Sequence, residues 1–301
     1  MTEHKPHIGL IGAGLMGSGI GASLLRHGFP LAILEHPGNQ PLDKLLAAGA
    51  TTRPQAAQLA ADVDILILCV TGSPQVEAVL FQEDGVLHGL RSGTIVIDCS
   101  TAIPSSTRKI AQAIQDVGGR FLDAPMTRTP KEAAEGRLNL IVGGDRQVFE
   151  QCLPVLQAYA ENIAYAGSTG AGHQMKLLHN YVSLGFSAIL AEASACARQS
   201  GTDPRIFCDI LAAGGGGGVV LNRLRPYIES ADASGFLFSM SNALKDMGYY
   251  CTMAEEQQAH HLLAQAVRAL YDDAAQAGQA QSPVPMLIEH LAAPRAAAGG
   301  A

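Results

Sequence analysis

The chain has 301 residues, of which 48% are hydrophobic and 33 are glycine, so it can form two domains that each bury a core. Its 20 basic and 27 acidic residues give a formal charge of −7. This balance excludes the broad basic surface that a nucleic-acid-binding protein needs to neutralise phosphates.

Cysteine spacing and hydropathy predict the compartment. The six cysteines form no CxxC pair and no cluster with histidines at metal-ligand spacing, which indicates a reduced protein with no metal site. The N-terminal sequence MTEHKPH has no apolar run of the signal-peptide type, and no stretch is long and apolar enough to cross a membrane. We therefore expect a cytoplasmic protein with no membrane partner.

The first predicted elements are a strand, a glycine-rich turn and a helix. Residues 7–11 (HIGLI) predict the strand, and apolar residues at helical spacing follow the glycines of residues 12–17. The helix ends near Gly28, and Leu31–Leu34 (LAIL) predicts a second strand that leads to the acidic Glu35. The pattern is that of a βαβ unit.

Later apolar runs alternate with segments of helical spacing up to residue 166. They predict strands at residues 65–70, 94–97, 121–122 and 138–142. Strands that are apolar throughout, separated by helices, indicate a mainly parallel, doubly wound sheet covered on both faces. We expect an α/β domain over residues 1–166.

Residues 167–301 predict a second, all-helical domain. Helical spacing covers residues 175–199, 204–213, 243–253 and 255–277, and we expect residues 297–301 to fray. The stretch 182–197 is apolar almost all round, which is typical of a helix buried in its domain or at a subunit contact. We therefore expect a homodimer or homotetramer.

Three glycines carry the clearest chemical signal. Gly12, Gly14 and Gly17 form G-x-G-x-x-G after a strand and at the start of a helix, which favours a dinucleotide site over a tight turn without ligand. The helix N-terminus supplies N–H groups and partial positive charge for a pyrophosphate. We assign the whole loop to the cofactor, including the intervening residues Ala13, Leu15 and Met16.

Glu35 ends the second strand, about twenty residues beyond the glycines. A carboxylate there can accept hydrogen bonds from the adenosine ribose hydroxyls and repel a 2′-phosphate. No Arg or Lys follows at once, so the sequence favours NAD over NADP, with an ordinary solvated glutamate as the alternative.

Five motifs, in order along nearly the whole chain, resemble those of the β-hydroxyacid dehydrogenase family, which includes the 3-hydroxyisobutyrate dehydrogenase and tartronate semialdehyde reductase types. The motifs are GLIGAGLMGSGI (9–20), DCST (98–101), DAP (123–125), GSTGAG followed by Lys176 and Asn180, and Lys245-Asp246. The resemblance implies an N-terminal Rossmann domain and a C-terminal helical domain like that of 6-phosphogluconate dehydrogenase.

The resemblance also implies roles for individual residues. Lys176 resembles the family's catalytic lysine, and Asn180, four residues later on the same helix face, resembles the asparagine that orients substrate. Without the other motifs this pair would be a solvated helix face. Ser100 would bind the substrate carboxylate, although a turn or cap role is its alternative.

Further cofactor contacts are expected at residues that come before and after the catalytic residues in the chain. Lys245 resembles the family's lysine that reaches toward the cofactor, and a surface ion pair with Asp246 is the alternative. We also assign Val70, Thr71 and Thr101 to the cofactor, since open α/β sheets bind ligands at the carboxyl ends of their strands.

The sequence departs from the family after residue 125, where most relatives have a hydrophobic residue followed by Ser-Gly-Gly. This chain has Thr127, Arg128 and Thr129, with Arg128 in place of a glycine. A guanidinium suits carboxylate, sulfonate or phosphate, and together with Asn180 and Ser183 the loop looks like the sulfolactaldehyde reductase branch. His179 departs from that branch, and an ion pair with a local acid such as Glu132 is the alternative for Arg128.

The sequence therefore predicts an NAD(P)-dependent oxidoreductase that acts on a small anionic 3-hydroxy acid or semialdehyde. Two other classes stay open at this point. A non-catalytic dinucleotide-binding protein would not need Lys176, Asn180 and Ser100, and related imine reductases generally lack this lysine.

Overall fold

The computed structural model describes residues 5–293, so the tail expected to fray lies outside the described residues. The chain divides into two compact units, Met1–Lys176 and Leu177–Ala301. This division falls inside a long helix, whereas the predicted domain boundary follows residue 166, near the end of the strand that precedes that helix.

Nine strands among residues 5–293 form one sheet in the first unit. They are β1 (Ile8–Ile11), β2 (Leu31–Leu34), β3 (Thr51–Arg53), β4 (Ile65–Leu68), β5 (Ile95–Asp98), β6 (Arg120–Asp123), β7 (Met126–Thr127), β8 (Leu138–Gly144) and β9 (Ala160–Gly167). The strand order is β3-β2-β1-β4-β5-β6-β8-β7, and β9 also pairs with β8. The pairs of β8 with β6 and β7 are antiparallel and the others are parallel, which confirms the expected mainly parallel sheet.

Helices cover both faces of this sheet. They are α1 (Leu15–Arg26), α2 (Asp43–Ala47), α3 (Ala56–Asp62), α4 (Ser73–Phe81), α5 (Val86–Gly89), α6 (Pro104–Asp116), α7 (Pro130–Glu135) and α8 (Arg146–Leu156). Successive strand residues point to opposite faces, so Ile65 and Ile67 enter one hydrophobic core while Leu66 and Leu68 enter the other. Burial on both faces explains why these strands are apolar throughout.

Helices also make up the described part of the second unit, as expected. They are α9 (Ala171–Gln199), which begins in the first unit, and α10 (Pro204–Ala213), α11 (Val219–Ser230), α12 (Met240–Glu256), α13 (Leu262–Ala274) and α14 (Leu287–Ala292). Their apolar faces enclose a separate core around Leu184, Met247 and Tyr271. The Tyr271 hydroxyl donates to the Leu184 carbonyl oxygen at 2.9 Å, which satisfies the polar end of a fully buried side chain.

Several elements differ from the predictions. The helix predicted over residues 255–277 begins only at Leu262, because α12 continues through Glu256 and a turn follows in which Gln258 has a φ of 56°. The helix α11 was not predicted. The strands β3 and β7 were missed because they are two or three residues long, and β9 because most of its residues are not buried.

A buried carboxylate fixes the start of α9. Asp123, at the end of β6, is fully buried and accepts hydrogen bonds from the backbone N–H groups of Gly170 at 2.8 Å and His173 at 2.9 Å. The first N–H groups of a helix have no partner within the helix, and negative charge stabilises this end. The sheet and the first turn of α9 are thus joined by one side chain.

We predict that Asp123→Ala lowers the free energy of unfolding by about 2–3 kcal/mol, since it leaves two buried N–H groups without an acceptor. Asp145→Ala is the matched control, because Asp145 caps α8 in the same way but is exposed. The control should cost about 1 kcal/mol. Urea unfolding followed by circular dichroism measures both, and equal losses would contradict the role given to Asp123.

Candidate active site

The glycine-rich loop between β1 and α1 is tightly packed on one side and open on the other. Gly12 has a φ of +94°, and a Cβ on it would lie 2.3 Å from the carbonyl oxygen of Cys69. A Cβ on Gly17 would lie 1.9 Å from the Gly12 oxygen, so both positions require glycine. Among the described residues, no atom other than those of Gly14 and its two chain neighbours lies within 4 Å of a Cβ built on Gly14. A ligand can therefore approach the backbone at Gly14, as a dinucleotide pyrophosphate requires.

The electrostatics of this loop also suit a dinucleotide. In the described chain, no side chain caps α1 and its first turn holds no acidic residue, so the positive end of the helix is available to an anion. Burial raises the pKa of the Cys69 thiol to about 12, with a smaller contribution from Asp98. The thiol beside the loop therefore stays neutral and adds no charge against a pyrophosphate.

Glu35 lies directly after β2 and is exposed. Its Oε1 accepts a hydrogen bond from Thr52 Oγ1 at 2.6 Å, which orients the carboxylate. Glu35 forms one wall of an open cavity of about 500 Å³. The other lining residues are His36, Pro37, Asn39, Gln40, Leu42 and Pro54.

Asn39 is a residue of this region that sequence reasoning missed. Its side chain donates to the Leu34 carbonyl oxygen at 2.9 Å and accepts from the Ala13 N–H at 3.1 Å. It therefore ties the glycine-rich loop to the end of β2, beside Glu35. The sequence carried no signal for it, since a single asparagine in a loop is ordinary turn chemistry.

Ser100 is buried two residues after the end of β5 and is held by several hydrogen bonds. Its Oγ accepts from the Val70 N–H at 3.1 Å, its N–H donates to Asp98 Oδ1 at 2.9 Å, and its carbonyl oxygen lies 3.1 Å from His173 Nε2. Burial raises the pKa of the Asp98 carboxyl, and nearby His173 opposes that shift. The structure thus brings together Ser100 and Val70. Thr101 follows Ser100 and is half-buried, while Thr71 is exposed.

The substrate loop predicted at residues 127–129 is held by contacts with Glu132, Arg137, Asn139 and Glu161. Arg128 has a φ of 84°, a conformation that favours glycine, and its Nη1 donates to the Glu161 carboxylate and to the Arg137 carbonyl oxygen. Arg128 thus pairs with an acid, as the alternative prediction expected, but the acid is Glu161 and not Glu132. Glu132 instead forms a capping box with Thr129 at the start of α7, and the Thr127 hydroxyl accepts from Asn139 at 3.1 Å.

Lys176 is half-buried on α9, in the second turn after the Asp123 anchor. In the second unit, Asn180 is buried and donates from Nδ2 to Asp246 Oδ2 at 2.6 Å. Asp246 Oδ1 in turn pairs with Lys245 Nζ at 3.2 Å. The second unit thus brings Asn180 and Lys245 together through Asp246, while Ser183 lies half-buried on α9.

Residues 5–293 show neither a metal cluster nor a membrane-spanning helix. No three His, Cys, Asp or Glu side chains of this part are placed to hold a metal ion. No helix in the same range is long and apolar enough to cross a membrane.

The fold and the glycine-rich loop define a nicotinamide-dinucleotide-dependent dehydrogenase with a Rossmann unit and a helical unit. A family model described as the NAD binding domain of 6-phosphogluconate dehydrogenase matches residues 7–167. A second, described as the NAD-binding domain of NADP-dependent 3-hydroxyisobutyrate dehydrogenase, matches residues 170–291. The chain belongs to the β-hydroxyacid dehydrogenase family, as its motifs indicate.

Individual relatives agree with this assignment. The chain is 31% identical over 278 residues to 3-hydroxyisobutyrate dehydrogenase of Pseudomonas aeruginosa, covering 90% of this chain and 92% of the relative. It is 30% identical over 285 residues to 3-sulfolactaldehyde reductase of Escherichia coli, covering 94% and 95%. A solved structure of Mycobacterium tuberculosis 3-hydroxyisobutyrate dehydrogenase with L-serine superposes with a TM-score of 0.86 at 25% identity, covering 97% of this chain and all of that one.

Membership in this family makes the protein an NAD(P)-dependent hydroxyacid dehydrogenase or semialdehyde reductase. Family membership favours this activity over that of an imine reductase.

Proposed function

We propose that the protein interconverts a small anionic 3-hydroxy acid and its semialdehyde, with NAD(H) as the preferred cofactor. The hydrogen bond from the Val70 N–H to Ser100 Oγ carries the proposal. It joins a residue expected at the cofactor to one expected at the substrate carboxylate. Val70 also adjoins the glycine-rich loop, since its Cγ1 lies 3.0 Å from a Cβ built on Gly12. This edge of the sheet is where open α/β folds bind ligands.

The side chains divide the chemistry among them. The nicotinamide, when bound, accepts or supplies the hydride. In the reducing direction, Lys176 donates a proton to the alkoxide oxygen that the hydride leaves behind, and in the oxidising direction it removes that proton. Asn180 is neutral and hydrogen-bonds the same substrate oxygen without competing for its proton. Ser100 binds the carboxylate through its hydroxyl.

Charge at the end of β2 supports NAD over NADP. The Glu35 carboxylate suits ribose hydroxyls and repels a 2′-phosphate. Residues 36–40 contain no Arg or Lys, and Arg53 on the neighbouring strand is paired with Asp62 at 2.6 Å. A 2′-phosphate bound there would be repelled by Glu35. It could pair with Arg53 only by displacing Asp62.

The substrate class follows from the shared chemistry of the relatives' ligands. The names of the relatives mention 3-hydroxyisobutyrate, 3-sulfolactaldehyde and L-serine, each a short chain with an oxygen function near one end and an anion at the other. Arg128 is the cation of the substrate loop and is a candidate to select the anion. To bind substrate, the Arg128 guanidinium would leave Glu161 and pair with the substrate anion.

We also propose a homodimer or homotetramer. Val182 and Ile189, seven residues apart on α9, expose 69% and 53% of their surface. Large apolar side chains repeated along one helix stripe favour a subunit contact over exposure to water.

The first test is a substrate panel. 3-Hydroxyisobutyrate, L-serine, 3-hydroxypropionate and 3-sulfolactaldehyde are each assayed by nicotinamide absorbance with both cofactors. We predict activity on at least one anionic member, with kcat/KM for NAD(H) above that for NADP(H). The double variant Glu35→Ser/His36→Arg should reverse the cofactor preference, because it removes the repulsive acid and supplies a cation. Tighter binding of NADPH than NADH by the wild-type protein would contradict this assignment.

Lys176→Ala should lower kcat by about two or more decades, the usual scale of general acid–base catalysis, and should leave NADH affinity nearly unchanged. Added methylamine should restore part of the lost rate, because it supplies the missing amine. Turnover close to that of the wild type would exclude Lys176 as the proton donor.

Arg128→Gly should lower kcat/KM for the best anionic substrate by about one to two decades, the value of a charge-assisted contact of about 1.5–3 kcal/mol. Glu161→Gln should have the opposite effect and lower KM, because it removes the acid that competes with the substrate anion. Glu135→Gln is the matched control, since Glu135 pairs with Arg137 instead. An increase in KM for Glu161→Gln would show that Arg128 stabilises the loop and does not bind the substrate.

A further inference from the structure

His173 is fully buried in the first turn of α9, where neither the family motifs nor the proposed chemistry gives it a role. Three of its nitrogen atoms make hydrogen-bond contacts, and Nε2 also lies 3.9 Å from Oδ2 of the fully buried Asp98. Its backbone N–H donates to Asp123 at 2.9 Å, Nδ1 lies 2.7 Å from Thr107 Oγ1, and Nε2 lies 3.1 Å from the Ser100 carbonyl oxygen.

The chemistry of one partner fixes the proton on Nε2. A carbonyl oxygen only accepts, so Nε2 must donate to Ser100. The Thr107 hydroxyl, whose oxygen lies 2.7 Å from Nδ1, also donates to the Ile103 carbonyl oxygen at 3.1 Å. Thr107 belongs to α6, so the ring joins that helix and the Ser100 segment to the start of α9.

We propose that His173 is a positioning residue, which fixes Ser100 relative to the helix that carries Lys176. Lys176 follows His173 by three residues, less than one helical turn. The proposal rests on the functions proposed above for Ser100 and Lys176. The ring holds the Ser100 backbone from one side, and Val70 holds the Ser100 hydroxyl from the other.

The hydrogen bond from His173 to Ser100 should affect turnover because it sets the position of a substrate-binding residue. A displacement of about 1 Å at a substrate-binding group can cost on the order of a hundredfold in rate. A histidine kept only to fill space would be replaceable by any side chain of similar size. A histidine that positions Ser100 is replaceable only by a side chain with a donor at the Nε2 position.

The test compares His173→Gln with His173→Asn. The glutamine amide nitrogen is as many bonds from Cβ as Nε2 is, so it can still donate to Ser100, whereas the asparagine amide reaches only the Nδ1 position. With the best substrate of the panel and NAD, we expect His173→Asn to lower kcat/KM by about 10- to 100-fold. His173→Gln should retain at least about a third of wild-type kcat/KM, and both should bind NADH within about threefold of the wild type, since neither touches the glycine-rich loop.

Ser100→Ala provides the decisive background. If His173 acts through the Ser100 hydroxyl, adding His173→Asn to Ser100→Ala should cost less than about threefold more, because coupled residues are not additive. Equal losses for the Asn and Gln variants, or full additivity with Ser100→Ala, would overturn the proposal. No loss in Ser100→Ala alone would instead contradict the function proposed for Ser100.

Thr107→Val covers the case in which His173→Asn fails to fold. It removes the hydroxyl that orients the ring but keeps the shape of the side chain and the Nε2 contact. We expect a several-fold fall in kcat/KM in the wild-type background and none in Ser100→Ala. A loss of the same size in both backgrounds would assign Thr107 and His173 to stability alone.

Discussion

The carboxylate of Asp123 is the contact on which the rest of the site depends. It lies at the end of β6 and binds two N–H groups at the start of α9. The backbone must come very close to achieve this, since a Cβ on Gly143 or Gly172 would lie 2.8 Å from a carboxylate oxygen of Asp123. Gly172 of the GSTGAG motif thus serves close packing, as Gly12 and Gly17 do in the first glycine motif. In that first motif it is Gly14 that leaves room for a ligand.

Local patterns could be predicted from sequence and pairings over long distances could not. The glycine-rich loop, its flanking strands and the helical second unit follow from the spacing of nearby residues. The contact between His173 and Ser100 joins residues 73 apart, and that between Arg128 and Glu161 joins residues 33 apart. These pairs depend on strand order and on where each helix meets the sheet, which periodicity does not determine. The sequence indicated that Arg128 departs from its family, yet the acid it meets is on β9, a strand whose pattern was too polar to recognise.

Arg128 illustrates how a side chain can be retained at a conformational cost. A left-handed backbone disfavours a non-glycine residue by about 1–2 kcal/mol. An ion pair as exposed as that with Glu161 contributes little to stability, so it does not offset this cost. Strain of this kind concentrates at functional positions, where the surrounding structure maintains it. Glycine at this position should therefore be at least as stable, and an arginine is expected only if the loop uses its charge.

The distribution of thiols has a practical consequence for labelling. All six cysteines lie in the described part of the chain, and Cys196 alone among them is exposed. Burial raises the pKa of Cys69 and Cys152 to about 12 and that of Cys99 well above its ordinary value, which removes the thiolate that electrophiles attack. A maleimide dye at neutral pH should therefore attach only at Cys196. This residue lies seven residues beyond Ile189 on the α9 stripe proposed as a subunit contact, so its labelling also reports whether that stripe is covered. The native chain could then carry a single fluorophore without cysteine replacement.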